Sequence, residues 1–455
     1  MSMFPLPETD SGRRDFLRRG AALAGLALAA PHLALGAAPA RPRNIVTGRR
    51  LRVAQIGVGN KGYVDVMACA AHGAEIVAIC DVDSARFGRA GFNAFHVLLG
   101  AARYRDYRQM FAEMDDRIDA VVISVPDHSH FPIAMLALER GKHLFVQKPL
   151  THTIGEARLL KAAAAKVGVV TQMGNQGHAY EGARLVKEWL DAGVIGPVRE
   201  VLTWTDRPTW PADAFRHVAA PPPPTLDWQR WIGTGPYREY SPALAPWNWR
   251  VWWDYGSGGL GDLGCHLMDA PFWALNLRGP MTVTARSEGL TAENAAKAQV
   301  VTYDFPARGT LPPLKYTWHD GGMLPPKPEE FGDQPMPKTA TLYRGDKGAL
   351  LSEGDYNHTV RLLPESRMKA FTDRPPKTIP RAPKNDPYLE WIEACHGGRT
   401  PGSNIVDHAA DLTETVLVGN LAIRLGKTIR WDPAALACAG VPEADRYLHS
   451  SYRIF

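Results

Sequence analysis

Arg52-Val53-Ala54-Gln55-Ile56-Gly57-Val58-Gly59-Asn60-Lys61-Gly62 is the stretch on which the fold turns. A short apolar strand runs into Gly-x-Gly-x-x-Gly, and a helical pattern follows. Alone, such a triplet is weak. Here a second strand, Glu75 to Cys80, ends in Asp81, 19 residues beyond Gly62, close to the roughly 20 that separate a phosphate-binding turn from the acidic residue at a dinucleotide's ribose. Gly57 permits the tight turn, Gly59 lets the backbone approach a pyrophosphate, and Gly62 allows the helix to pack closely on the strand. Asn60 and Lys61 complete the loop, and the helix start presents unpaired N–H groups to phosphate. Asp81 would accept hydrogen bonds from ribose hydroxyls and repel a 2′-phosphate, which favours NAD over NADP.

Outward from this stretch, strands and helices keep alternating. Asp119 to Val125 reads as a buried strand, followed by Pro126-Asp127-His128-Ser129-His130 and an apolar helix to Arg140. His143 to Val146 leads into Gln147-Lys148-Pro149, Thr153 and Glu156 form a capping box for a helix to Val167, and Val169 to Gln172 is a further strand. This alternation predicts an α/β fold with a doubly wound parallel sheet. Ligands of such sheets sit beyond the carboxyl ends of the strands, which makes Ser124, Pro126, Asp127, His130, Gln147 and Lys148 candidate cofactor contacts.

The 455 residues suggest two or three domains, and 45% hydrophobic with 22% charged residues is ordinary globular composition. A net charge of +5 without a Lys/Arg run in the body of the chain argues against nucleic acid. Near the start, Arg13-Arg14-Asp15-Phe16-Leu17 and the apolar stretch Ala21–Ala30 resemble a twin-arginine export signal. The stretch is too short for a membrane span. The expected organisation is a signal over 1–40, an NAD-binding domain over 45–173 and a substrate and oligomerisation domain over 174–455. A folded passage to the periplasm through the twin-arginine machinery would suit a tightly held cofactor. The five cysteines contain no C-x-x-C and are odd in number, so small buried apolar roles are expected rather than a disulfide framework. No His/Asp/Glu set has convincing metal spacing.

The glycine turn, the Pro126–His130 segment, the Lys148-Pro149 pair and Gly258-Gly259-Leu260-Gly261-Asp262-Leu263-Gly264-Cys265-His266 occur in the order and spacing of the glucose–fructose oxidoreductase/inositol dehydrogenase/rhizopine catabolism (Gfo/Idh/MocA) family, which the chain resembles over roughly residues 50 to 430. The resemblance implies an N-terminal Rossmann domain, a C-terminal α/β domain with an open, mostly antiparallel sheet, and a homo-oligomer. It makes His266 the acid/base, Asp262 its partner at the substrate, and Lys148 the donor to the reacting hydroxyl, able to share the proton role. Two positions depart from the family: its usual Glu-Lys-Pro is Gln147-Lys148-Pro149, and its usual Asn is Asp127.

Spacing adds its own expectation. Asp262 and His266 are four residues apart, so on a helix they share a face, and the carboxylate could fix the imidazole tautomer. The ordinary alternatives are a satisfied core histidine and an N-cap. Ahead of this segment, Trp247 to Tyr255 packs four Trp into seven positions. Sugars offer flat C–H faces to aromatic rings and hydroxyls to polar side chains, so Asn248, Trp249, Arg250, Gln176 and His178 are candidate substrate contacts, with interface filling as the alternative. The Pro/Gly-rich region Leu311–Pro337 reads as an irregular surface excursion with His319 and Asp320 as loop residues, and His408–Leu425 as a helix with one apolar face.

The leading expectation is an NAD-dependent oxidoreductase acting on a secondary hydroxyl of a carbohydrate: a sugar, a glycoside (the 3-hydroxyl is preferred) or a cyclitol. The alternatives are an NAD-retaining glycosidase working by oxidation, elimination, hydration and reduction, and a non-catalytic sugar-binding protein.

Overall fold

The computed structural model describes residues 48–87, residue 98 and residues 100–455. The twin-arginine stretch lies outside them. Six parallel strands form the first sheet: β1 (Arg52–Ile56), β2 (Glu75–Cys80), β3 (Ala102–Tyr104), β4 (Ala120–Ile123), β5 (His143–Val146) and β6 (Thr171–Met173), in the order β3-β2-β1-β4-β5-β6. This is the doubly wound parallel arrangement read from the sequence. Its central strands are mostly apolar, with β1, β2 and β4 buried over nearly their whole length, because helices cover both faces. The base of the sheet is pinned by Asp119, whose carboxylate accepts from Arg49 (2.8 Å) and Arg52 (2.8 Å). Thr153 and Glu156 cap the Ile154–Val167 helix reciprocally, as expected.

The second sheet has nine strands: β7 (Val198–Thr205), β8 (Met281–Glu288), β9 (Ala298–Phe305), β10 (Leu314–Asp320), β11 (Thr339–Gly345), β12 (Gly348–Glu353), β13 (Thr359–Leu363), β14 (Ile429–Asp432) and β15 (Ala437–Cys438). Neighbours are antiparallel except β7 and β10, which run parallel at the middle of the sheet. The expectation of an irregular excursion over Leu311–Pro337 therefore fails for its first part. The prolines flank β10, while Leu314, Tyr316 and Trp318 alternate onto the core face. His319 and Asp320 are buried, not loop residues. Asp320 accepts from Gln299 Nε2 (2.7 Å) and Trp318 Nε1 (2.9 Å), and burial pushes its pKa up to about 7.

Late segments of the chain return to the first sheet. The Pro387–Cys395 helix stacks Tyr388 on Phe145 of β5, ring centroids 5.0 Å apart. The Ala410–Leu425 helix is preceded by a π-turn at Ile405–Ala409 and is buried around nearly its whole circumference, not along one face. It packs on the Gly258–Leu267 helix, where a Cβ at Gly264 would lie 3.0 Å from Val416. All five cysteines are buried and free. Among the described residues no helix is long and apolar enough to cross a membrane.

Candidate active site

Gly57 lies at φ +80°, and a Cβ there would come 2.3 Å from Ser124 O. The next turn is held by Asp81, which accepts from Val58 N (2.9 Å) and Asp83 N (3.0 Å). The helix at Lys61–Ala71 begins with no side-chain cap and no acidic residue in its first turn, so the positive end of its dipole faces the turn uncompensated, as an anion site requires. One cavity starts here, lined by Gly57, Gly59, Asn60, Lys61 and Asp81. It passes Ser124, Pro126, Asp127 and Gln147, and reaches Lys148, Trp249, Arg250 and Asp262. An open cradle with an uncapped helix start at one end and proton-handling groups at the other fits a nicotinamide dinucleotide.

His130 does not join this wall. Its ring is buried between Pro149 O (2.8 Å) and Val125 O (2.9 Å), and burial draws its pKa down to about 4. It ties the loop after β4 to the loop after β5 and so positions Lys148. Asp127 does line the cavity and accepts from Ser257 Oγ (2.9 Å). Burial pushes its pKa up to about 7 against the pull of Lys148 and Ser257, so near neutrality a protonated Asp127 can donate a hydrogen bond.

Behind the cavity lies a polar knot that the sequence reading missed. Asp65, fully buried, accepts from Lys61 Nζ, from Tyr388 Oη (2.5 Å), from Ser124 Oγ (2.6 Å) and from Gln147 Nε2 (2.9 Å). The family's Glu at position 147 would set a second carboxylate against Asp65, and Gln removes that repulsion while keeping a donor there. Gln147→Glu is therefore expected to weaken NAD binding by about 10-fold. Adding Asp65→Asn should restore most of it, as titration calorimetry with NAD would show. A double variant no better than Gln147→Glu would contradict this account. The signal available in the sequence was the Lys61/Asp65 spacing of four on a helix.

At the far end, Lys148 follows β5 and donates to Asp262 twice, at Oδ1 (2.6 Å) and at the main-chain oxygen (2.5 Å). Arg250 Nε approaches the same Oδ1 at 3.4 Å, its guanidinium carbon over the rings of Trp247 (4.2 Å from the centroid) and Trp249 (4.3 Å). Burial works against ionisation of Asp262, but Lys148 and Arg250 prevail and hold its pKa well below the usual carboxylate range.

Asp262 and His266 do share the Gly258–Leu267 helix, yet the expected carboxylate–imidazole bond is absent. Asp262 is turned to the two cations, and buried His266 Nδ1 has no hydrogen-bond partner. The ring rests edge-on against Tyr356, 5.0 Å away. Burial first, then Lys148, keep the His266 pKa well below 6.5. A neutral imidazole able to take a proton results.

The substrate candidates separate. Trp249 and Arg250 line the cavity, whereas Asn248 does not. Trp252 and Trp253 are buried as packing. Gln176 instead faces Lys61, its amide oxygen 2.9 Å from Nζ in the orientation that satisfies its neighbours. His178 is drawn into a buried cluster, where Asp269 accepts from His178 Nδ1 (2.9 Å), His408 Nε2 (2.6 Å) and Asn175 Nδ2 (2.9 Å). Asp269 and His408 were not singled out from sequence, and this trio is the one group among the described residues whose ligand atoms lie close enough for a metal ion. Its hydrogen-bond spacings and complete pairing of Asp269 read as a structural network.

Two models of one family match the chain. The oxidoreductase family's NAD-binding Rossmann fold covers residues 51–175, and its C-terminal alpha/beta domain covers residues 198–320. The chain belongs to the Gfo/Idh/MocA oxidoreductase family. Its N-terminal half carries that family's NAD-binding fold. Curated relatives include the inositol 2-dehydrogenase/D-chiro-inositol 3-dehydrogenase of Lacticaseibacillus casei, 33% identical over 149 residues, which are 32% of this chain and 42% of that protein. A glycosyl hydrolase family 109 protein of Shewanella pealeana is 34% identical over 159 residues, 32% of this chain and 35% of that one. The matches thus span about two fifths or less of these relatives' length. Among solved structures, the WlbA dehydrogenase from Bordetella pertussis, in complex with NADH and UDP-GlcNAcA, shares the fold at TM-score 0.59 and 18% identity, over 84% of this chain and 99% of that one. GenD2 from gentamicin A biosynthesis, in complex with NAD, does so at TM-score 0.56 and 21% identity, over 86% and 99%.

Proposed function

We propose that this Gfo/Idh/MocA protein is an NAD-dependent dehydrogenase that oxidises a secondary hydroxyl of a sugar, glycoside or cyclitol, with the 3-hydroxyl of a glycoside as the preferred site. The observation that carries this reading is the Lys148–Asp262 contact in the same cavity that begins at the glycine turn. NAD held in that cavity would supply the hydride acceptor. Lys148 Nζ donates to the reacting hydroxyl oxygen and steadies the charge that develops on it. His266 takes the hydroxyl proton on its neutral ring. Asp262 keeps Lys148 and Arg250 in place, and the Trp249 face with Arg250 offers the flat and polar contacts that a sugar ring uses.

A second reading, a redox-neutral glycosidase that retains NAD, draws support from the likeness to family 109 proteins. We also propose export: Arg13-Arg14 and a set of buried, unpaired cysteines suit a protein folded before translocation. One experiment separates these readings. Protein recovered from the periplasmic fraction is denatured to identify its nucleotide, and the native protein is then offered a glycoside panel at the reduced-nicotinamide band. Bound NAD with a single-turnover rise in NADH is expected. Repeated aglycone release without that rise would replace the dehydrogenase by the glycosidase. Absent NAD with unchanged ligand affinity in His266→Ala would leave only a sugar-binding protein.

A further inference from the structure

A second cavity lies between the Ala410–Leu425 helix, the loop before the Gly258–Leu267 helix and the last dozen residues of the chain. It shares Thr234 with the cofactor cavity but is lined by a different set of groups. Two arginines stand on it, Arg424 and Arg446. Both lie over the ring of Tyr447, with guanidinium carbons 3.9 Å and 4.6 Å from its centroid, and Arg424 also covers Trp253 at 4.7 Å.

Among the described residues neither guanidinium has a hydrogen-bond acceptor or a carboxylate within ion-pair distance. Three carboxylates nearby are engaged elsewhere, and that of Asp445, the residue before Arg446, is exposed and pairs with neither guanidinium. Asp254 also lines the cavity but pairs with Arg238 (3.1 Å). Glu443 is paired with Lys427, and Glu156 accepts from Ser450 Oγ (2.9 Å) and Tyr452 Oη (2.6 Å). The cavity wall also holds buried Trp253 Nε1 with no acceptor. Half-burying one cation beside a second of like charge, with only ring faces for company, is costly unless an anion completes the arrangement. Burial draws the Arg424 pKa down to about 10, the direction a missing counter-charge gives.

We infer that this cavity is a binding site for a phosphate group, with the guanidinium groups of Arg424 and Arg446 as its two cationic donors and Tyr447 as the platform between them. Two fixed positive charges match a dianion, and guanidinium forks suit phosphate oxygens. The site also touches the reaction centre through the backbone: Asn420 Nδ2 donates to Ser257 O (2.9 Å), and Ser257 Oγ donates to Asp127 (2.9 Å) in the cofactor cavity.

Thermal unfolding of the NAD-saturated full chain in rising inorganic phosphate, against chloride at matched ionic strength, tests the assignment. Saturating NAD keeps phosphate from the pyrophosphate position at the glycine turn. A saturable rise in Tm is expected for the native protein, with the apparent phosphate affinity down about 10-fold or more in Arg424→Gln. Arg446→Gln, exposed and dispensable for packing, should weaken it in the same direction and serves if Arg424→Gln does not fold. A rise that never saturates, or one equal in native protein and both variants, would overturn the site. So would no rise at all combined with a change of oligomeric state in Arg446→Gln, which would make this face a contact between copies of the chain.

Discussion

Lys148→Met is expected to lower turnover by about 100-fold or more while NAD remains bound, and His266→Ala to do the same. Lys148 earns this weight from its position. It leaves the carboxyl end of an interior parallel strand, β5, and is fixed at both donated hydrogen bonds by Asp262, 114 residues away in sequence. A methionine keeps the length of the chain but removes the donor proposed for the developing alkoxide. The pH profile separates the two roles. Burial and the nearby Lys148 disfavour the charged form of His266, so its pKa sits well below 6.5 and the base stays neutral through the mildly acidic range. The acid limb of kcat/KM should therefore lie below the ordinary imidazole value in the native enzyme. Removing the Lys148 charge raises the His266 pKa, so the residual activity of Lys148→Met should fall off at higher pH than native activity does. A native profile that breaks at the ordinary imidazole value, or near-normal turnover in both variants, would show that the chemistry lies elsewhere.

The second large effect concerns the glycine turn. In Gly62→Ala the new Cβ would sit 2.0 Å from Gly57 O and 3.2 Å from Ser124 Cβ. The first of these neighbours is backbone, held in turn by Gly57 N donating to Cys80 O (2.8 Å), so no flexible side chain can yield. The strand, turn and helix must separate, at a cost of about 3 kcal/mol or more, and the phosphate-facing helix start moves with them. Denaturant unfolding should show the loss of stability, and calorimetry a parallel loss of NAD binding. Gly59→Ala is the informative contrast. Its Cβ would meet only the flexible Arg86 side chain, at 3.4 Å, so stability should be nearly unchanged while NAD binding weakens, because that methyl occupies the approach to the pyrophosphate. Equal stability in Gly62→Ala and native protein would contradict the close contact.

The glycine turn, Asp81, the capping box at Thr153 and the strand that delivers Lys148 were all legible because each is written within a few adjacent residues. β10 was not. Its prolines dominate the local composition, and the alternation of Leu314, Tyr316 and Trp318 acquires meaning only when β7 and β9 lie on either side. His130 and His178 carried the right chemistry for a site, but their ring nitrogens are already committed to Pro149, Val125 and Asp269.

What the amino-acid order determined by itself is the nucleotide fold and the residues proposed to move a proton, since hydrophobic period, turn chemistry and helical spacing act over one or two turns of chain. Which of those residues meet was decided only by the tertiary structure. Asp262 lies four places from His266, and helical spacing alone would pair them. Packing instead brings Lys148 and Arg250 to its carboxylate, and a half-buried carboxylate is held ionised by cations far better than by an imidazole that burial keeps neutral.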